Sequence, residues 1–213
     1  NNIRVSRRIF LKAAASGLVV ASSSQAPAAR SNPQNSAPTS PVGIARCRRY
    51  DFTMVKSALS GLFDRMGGVQ TLVRGKTVSV KVNLTGGWNA TTFTLPPTHT
   101  VYTHPMVTLA ACSLFQDYGA RQIVICESLY TNDETRLAYS NYGYDATLFE
   151  STVTNLTWED THNKGTGGSY RSLPVPGAAY LYSSFQFNHR YVDTDVVVSI
   201  PKMKNHLIAG ITL

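Results

Sequence analysis

Three short runs of β-branched residues constrain this chain most: Thr77–Val82, Ile123–Cys126 and Asp195–Ile200. Each has the length and composition of a strand. Segments of helical period separate them. Phe52, Val55, Leu59, Leu62, Phe63 and Met66 recur at intervals of three and four, one apolar helix face before the first run. Asp51 or Thr53 can cap its start and Gly67-Gly68 can stop it. Val107, Ala110, Ala111, Leu114, Phe115 and Tyr118 form a second apolar face, opened by Thr103-His104-Pro105 with proline at the first helical position and closed by Gly119. The middle run is apolar throughout, as in a strand covered on both sides. Helix–strand–helix–strand order predicts an α/β domain with a mainly parallel sheet and helices on both faces.

An irregular insert is expected between the second and third strong strands. Within it Tyr144–Phe149 reads as a short helix, and Leu156–Glu159, Tyr170–Val175 and Phe185–Tyr191 read as strands. Asn163–Ser169, with three glycines, reads as a loop. Pro201 ends the last strong strand.

The N-terminus has a separate role. Ser6-Arg7-Arg8-Ile9-Phe10-Leu11-Lys12 heads an apolar stretch from Ala13 to Ala21, and Ala26-Pro27-Ala28 supplies a small-residue cleavage pattern. A basic head, short apolar core and small-residue site define a secretory signal, and the pair Arg7 and Arg8 points to the twin-arginine route. Residues 1–28 are therefore expected to be a signal, 29–45 a flexible tether rich in Ser, Pro and Ala, and 46–213 the folded domain. The expected location is periplasmic or extracellular, the expected partner the twin-arginine export machinery. No transmembrane anchor is expected after cleavage.

Removing Arg4, Arg7, Arg8 and Lys12 lowers the formal charge from +8 to +4, an ordinary value that gives no support to nucleic-acid binding. Cys47, Cys112 and Cys126 match no zinc or iron–sulfur spacing. No cofactor or metal is assigned from sequence. There is no P-loop, G-x-G-x-x-G or G-x-S-x-G motif.

In open α/β sheets ligands bind beyond the carboxyl ends of the strands. Here the first run leads into Lys81 and Asn83, the second into Glu127 and Ser128 with Asn132, Asp133 and Glu134 beyond. The third leads into Lys202, Lys204, Asn205 and His206. If these ends share one sheet edge, Lys202, Lys204, Lys81 and Asn83 can hold an anion. Glu127 and His206 are then the candidate acid–base residues. Alternation along the first strand tends to turn Lys81 away. An extended loop after Pro201 would put Lys202, Lys204 and His206 on one side. His99 and His104 flank the second helix start and can line the same mouth.

Several of these blocks together resemble the family called domain of unknown function 362. They are Val80-Lys81-Val82-Asn83-Leu84, Thr103-His104-Pro105, Gly119-Ala120, Ile123–Ser128, Asp195–His206 and Gly210-Ile211-Thr212-Leu213. The resemblance covers roughly residues 75–213 and implies the fold and the site position, not a substrate. It also implies further α/β sequence after a threonine–leucine, so the chain is expected to be incomplete at its C-terminus. Some relatives carry ferredoxin-like iron–sulfur segments, but the clustered cysteines these need are missing here. Two function classes fit: an exported enzyme acting on a small anionic substrate, and a non-catalytic metal, redox-accessory or ligand-binding protein.

Overall fold

The computed structural model describes residues 40–85, 94–129, 131–162, 169–177, 180–206 and 208–212. The stretch expected to be a signal, most of the expected tether, and the loop expected over Asn163–Ser169 apart from Ser169 lie outside these residues. The main compact unit comprises Pro41–Arg171 and Phe187–Leu213, and a second includes Ser172–Gln186.

The main unit holds a four-stranded sheet of order β3-β2-β1-β6. The strands are β1 (Thr77–Val82), β2 (Gln122–Glu127), β3 (Leu156–Asp160) and β6 (Val196–Ile200), and every pairing is parallel. The expected α/β fold is what forms. From β1 the chain steps outward through β2 to β3, then returns to place β6 on the free side of β1. The strand order thus reverses between β1 and β6, the place where α/β sheets open a crevice at their carboxyl edge.

Helix α1 (Phe52–Arg65) starts at Asp51, whose carboxylate accepts from the Met54 N–H at 2.9 Å. It ends into Gly67 and Gly68, both at positive φ (91° and 79°), a conformation glycine adopts without strain. The single turn α2 (Gln70–Val73) leads to β1. After the turn α3 (Pro97–Thr100) comes α4 (Pro105–Asp117), buried along most of its length from Thr108 to Phe115. Cys112 on α4 and Cys126 on β2 are both buried core residues.

The insert is more regular than its composition suggests. Helix α5 (Thr135–Asn141) was not anticipated, and it starts where the Glu134 carboxylate accepts from the N–H groups of Arg136 and Leu137. The helix expected over Tyr144–Phe149 is α6 (Ala146–Thr152), capped by Asp145. Tyr144 before the cap is core, fully buried, and its hydroxyl donates to the Thr103 carbonyl at 3.0 Å. Tyr139, Tyr144, Phe149 and Trp158 pack as one aromatic cluster against β3. Strands β4 (Tyr170–Pro174) and β5 (Ser184–Asn188) form a two-stranded ribbon. The strand expected to reach Tyr191 stops at Asn188, because the Asn188 side chain accepts from the Arg190 N–H at 2.9 Å and starts the turn α7 (His189–Val192). After β6, β7 (Lys204–His206) and β8 (Gly210–Thr212) pair antiparallel.

One threonine joins the two strands at the reversal. The Thr103 hydroxyl donates to the Ile200 carbonyl at 2.6 Å and accepts from the Asn83 N–H at 2.9 Å. Its own N–H donates to the Asn83 carbonyl at 2.9 Å. At 2% exposure no water replaces these bonds. Thr103→Val keeps the shape and orphans two backbone groups, so urea unfolding is expected to show a loss of about 1–3 kcal/mol. Thr103→Ser is expected to recover most of it. An unchanged midpoint in the valine variant would show that the bridge carries no stability.

Candidate functional site

The parallel register aligns the strand ends named from sequence along one edge. Lys81 is opposite Cys126 on one side and Ser199 on the other, and Glu127 is opposite Asp160. What each end then does depends on its hydrogen bonds.

Glu127 is the buried anion of this edge, 5% exposed. The Lys81 ammonium lies 2.9 Å from each of its carboxylate oxygens. The backbone N–H groups of Leu84 and Ser128 donate to the same carboxylate at 3.0 and 2.8 Å. A buried carboxylate needs such a set to offset its lost hydration. Alternation suggests that Lys81 turns away, but its long stem folds over, and its ammonium also donates to the Val82 carbonyl at 2.6 Å. Lys81 is thus committed to Glu127.

The β6 end is built differently. The Lys204 ammonium donates to Asn83 Oδ1 at 3.0 Å and to the Val101 carbonyl at 2.7 Å, both neutral oxygens. Lys204 is half-buried, and burial pushes its pKa down. The Glu127 charge opposes that shift, and the neighbouring Lys202 adds to it. The Lys202 ammonium bonds the Tyr50 hydroxyl at 3.2 Å. Among the described residues no carboxylate lies within ion-pair distance of Lys202 or Lys204.

Tyr50 extends the cluster to both histidines. Its ring stacks on His104 with centroids 3.7 Å apart and meets His99 edge-on at 5.1 Å. His104 is the N-cap of α4: its Nδ1 accepts from the Met106 N–H at 3.2 Å. That bond fixes the neutral tautomer, with the proton on Nε2. Burial lowers the His104 pKa to about 4, helped by His99 and Lys202.

The other sequence candidates have local tasks. His206 sits in β7, exposed, and its Nδ1 accepts from the N–H groups of Ile208 and Ala209 at 3.2 and 3.0 Å. It closes its own turn, while as alternate residues of β7 Lys204 and His206 share one face of that strand. Asp133 accepts from Asn141, and Glu134 caps α5. Sequence reading passed over Thr103 as a bridge, the Tyr50–His104 stack, and a buried charge group at the end of β3. There the Arg190 guanidinium donates to Glu159 Oε2 at 2.6 Å and His189 Nε2 lies 3.1 Å from Oε1. Only the proline after His104 hinted at the cap. Nothing in the order of residues links Tyr50 to position 104. Among the described residues no three His, Cys, Asp or Glu side chains are placed to share a metal ion. The edge carries the cations Lys202 and Lys204 beside the His104 imidazole.

The His104 geometry sets a pH dependence. Its folded-state pKa, about 4, lies below its ordinary 6.5. Between these values the unfolded chain takes up a proton that the folded chain refuses, so stability falls as pH drops from about 6.5 to about 4. His104→Asn keeps a capping acceptor and removes the titration. Thermal unfolding from pH 7 to 4 is expected to fall less steeply in the variant; parallel curves would contradict the buried neutral imidazole.

No curated protein and no solved structure matches this chain. One family does: its model, described as a domain of unknown function (DUF362), matches residues 78–213, well over half of the sequence. That span takes in all four strands of the sheet except the first residue of β1, together with Lys81, Glu127, Lys202 and Lys204. The chain belongs to the DUF362 family.

Proposed function

We propose that this is an exported protein that binds, and as an enzyme transforms, a small anionic substrate at the reversal between β1 and β6. The observation that carries this reading is Lys204. A half-buried ammonium costs hydration, and here it rests on two neutral oxygens, with Lys202 as a second cation nearby. A bound anion would supply the missing countercharge. The His104 Nε2–H adds a neutral donor. Glu127, already neutralised by Lys81, serves as the base of the site and couples it to the sheet. His206 is in this proposal a residue of the site's outer ribbon, β7 and β8.

The reading is tested by calorimetric titration of the purified protein with phosphate, sulfate and small di- and tricarboxylates. At least one is expected to bind, and Lys204→Ala is expected to weaken it by about 1–3 kcal/mol, or about 5- to 150-fold. Unfolding of the variant should stay near that of the parent, because the two neutral hydrogen bonds Lys204 makes are offset by the hydration its half-buried ammonium gives up. Unchanged binding would place the site elsewhere. A large loss of stability would make Lys204 structural. Binding without turnover of any tight ligand would favour the non-catalytic class.

Export rests on the first 28 residues. The Ser6–Lys12 block, the apolar stretch and Ala26-Pro27-Ala28 support delivery by the twin-arginine route to the periplasm or beyond. Replacing Arg7 and Arg8 by lysine is expected to leave uncleaved protein in the cytoplasm, read by fractionation and mass. Normal processing of that variant would rule the route out.

A further inference from the structure

The segment before α1 is seated on the helix. A Cβ built on Gly43 would meet Leu62 Cδ2 at 2.8 Å and Met66 Sδ at 3.1 Å, so the backbone passes close against the side chains at the end of α1, which would have to shift to admit a larger residue. Further along, Ala45 and residues 47–50 join α1 and α4 in lining a half-open cavity of about 290 Å³. Val55, Leu59 and Leu62 of α1 and Val107 of α4 give it apolar walls. Only Val55 among these four is buried, so the walls remain open to a ligand. Cys47, Arg48 and Arg49 line the same cavity and are exposed. Among the described residues no carboxylate lies within ion-pair distance of either arginine. The adjacent Asp51 is committed to capping α1.

We propose that this cavity binds a small amphipathic anion: a carboxylate or phosphate monoester with a short apolar tail. The tail lies on Val55, Leu59, Leu62 and Val107, and the head at Arg48 and Arg49. Guanidinium groups hold carboxylate and phosphate through paired N–H donors. Each methylene removed from water strengthens binding, so an apolar floor selects for a tail. A bare anion would leave the floor unused, and a neutral hydrocarbon would leave the arginines unused. The volume is at the lower end for ligand sites, which restricts the tail to a short chain. The proposal uses different cations from the Lys204 reading, although Tyr50 lines this cavity and also bonds Lys202.

Calorimetry on the full chain with octanoate, octyl phosphate, acetate and octanol tests it. Octanoate or octyl phosphate is expected to bind at least about tenfold tighter than both acetate and octanol. Which of the two binds tighter identifies the head group. The double variant Arg48→Gln and Arg49→Gln should remove the preference for charge, and Leu59→Trp, which fills the cavity, the preference for a tail. Lys204→Ala should change neither. Thiol modification gives a second readout without mutation. Cys112 and Cys126 are buried, so fast alkylation reports Cys47 at the cavity. Octanoate is expected to slow it several-fold and acetate to leave it unchanged. Octanoate binding no tighter than acetate, or alkylation of Cys47 at an unchanged rate in its presence, overturns the proposal. So does loss of octanoate binding in Lys204→Ala with the arginine variant unaffected.

Discussion

The carboxylate of Glu127 is the constraint on which the carboxyl edge of the sheet depends. A buried charge with no partner is expelled or neutralised, so its surroundings have to be arranged around it. Here one ammonium and two backbone N–H groups converge on it, from β1, from the residues after β1, and from the residue after β2. The bond to Leu84 fixes the path of the chain as it leaves β1. Asn83, one residue earlier, is thereby held where Thr103 tie it to β6 and where its side chain meets Lys204. The contacts from β2 to β6 form one connected network, and the position of the half-buried Lys204 follows from the buried anion.

This network explains why the two lysines nearest the sheet behave differently. Lys81 meets a carboxylate and is neutralised locally. Lys204 meets an amide oxygen and a carbonyl, and no carboxylate among the described residues pairs with it directly in its half-buried place. Lys202 adds a like charge beside it, held by a tyrosine hydroxyl. His104 contributes no positive charge near neutral pH, because burial, with His99 and Lys202 nearby, lowers its pKa, and its Nδ1 accepts from the helix it caps. An edge of this kind gains from a bound anion, whereas an edge of matched ion pairs would not. The family assignment, to a domain of unknown function, adds no substrate to that conclusion.

Much of the fold was legible because burial writes itself into residue order. β1, β2 and β6 are β-branched runs, and α1 and α4 show their faces at helical spacing. The shared edge followed from parallel strands. The site itself was less legible, since which polar group meets which depends on side-chain reach and on turns. Lys81 has a stem long enough to defeat alternation. His206 is drawn into its own turn by two backbone N–H groups, a local competition that spacing does not reveal. Helix α5 escaped notice because it is short and capped by a glutamate, an unusual cap. Tyr50 was invisible as a site residue because its partner, His104, is far away in sequence.

The central claim is that the reversal between β1 and β6 holds an oxyanion at Lys204. Anomalous diffraction from crystals of the protein soaked in selenate, at the selenium edge, tests this most directly, because it locates the anion without reference to any assay. The account predicts an ordered selenate within hydrogen-bond distance of the Lys204 ammonium, beside Lys202, and its loss in the Lys204→Ala protein. Selenate bound only at other surfaces, or none at this edge at concentrations that fill them, would contradict it.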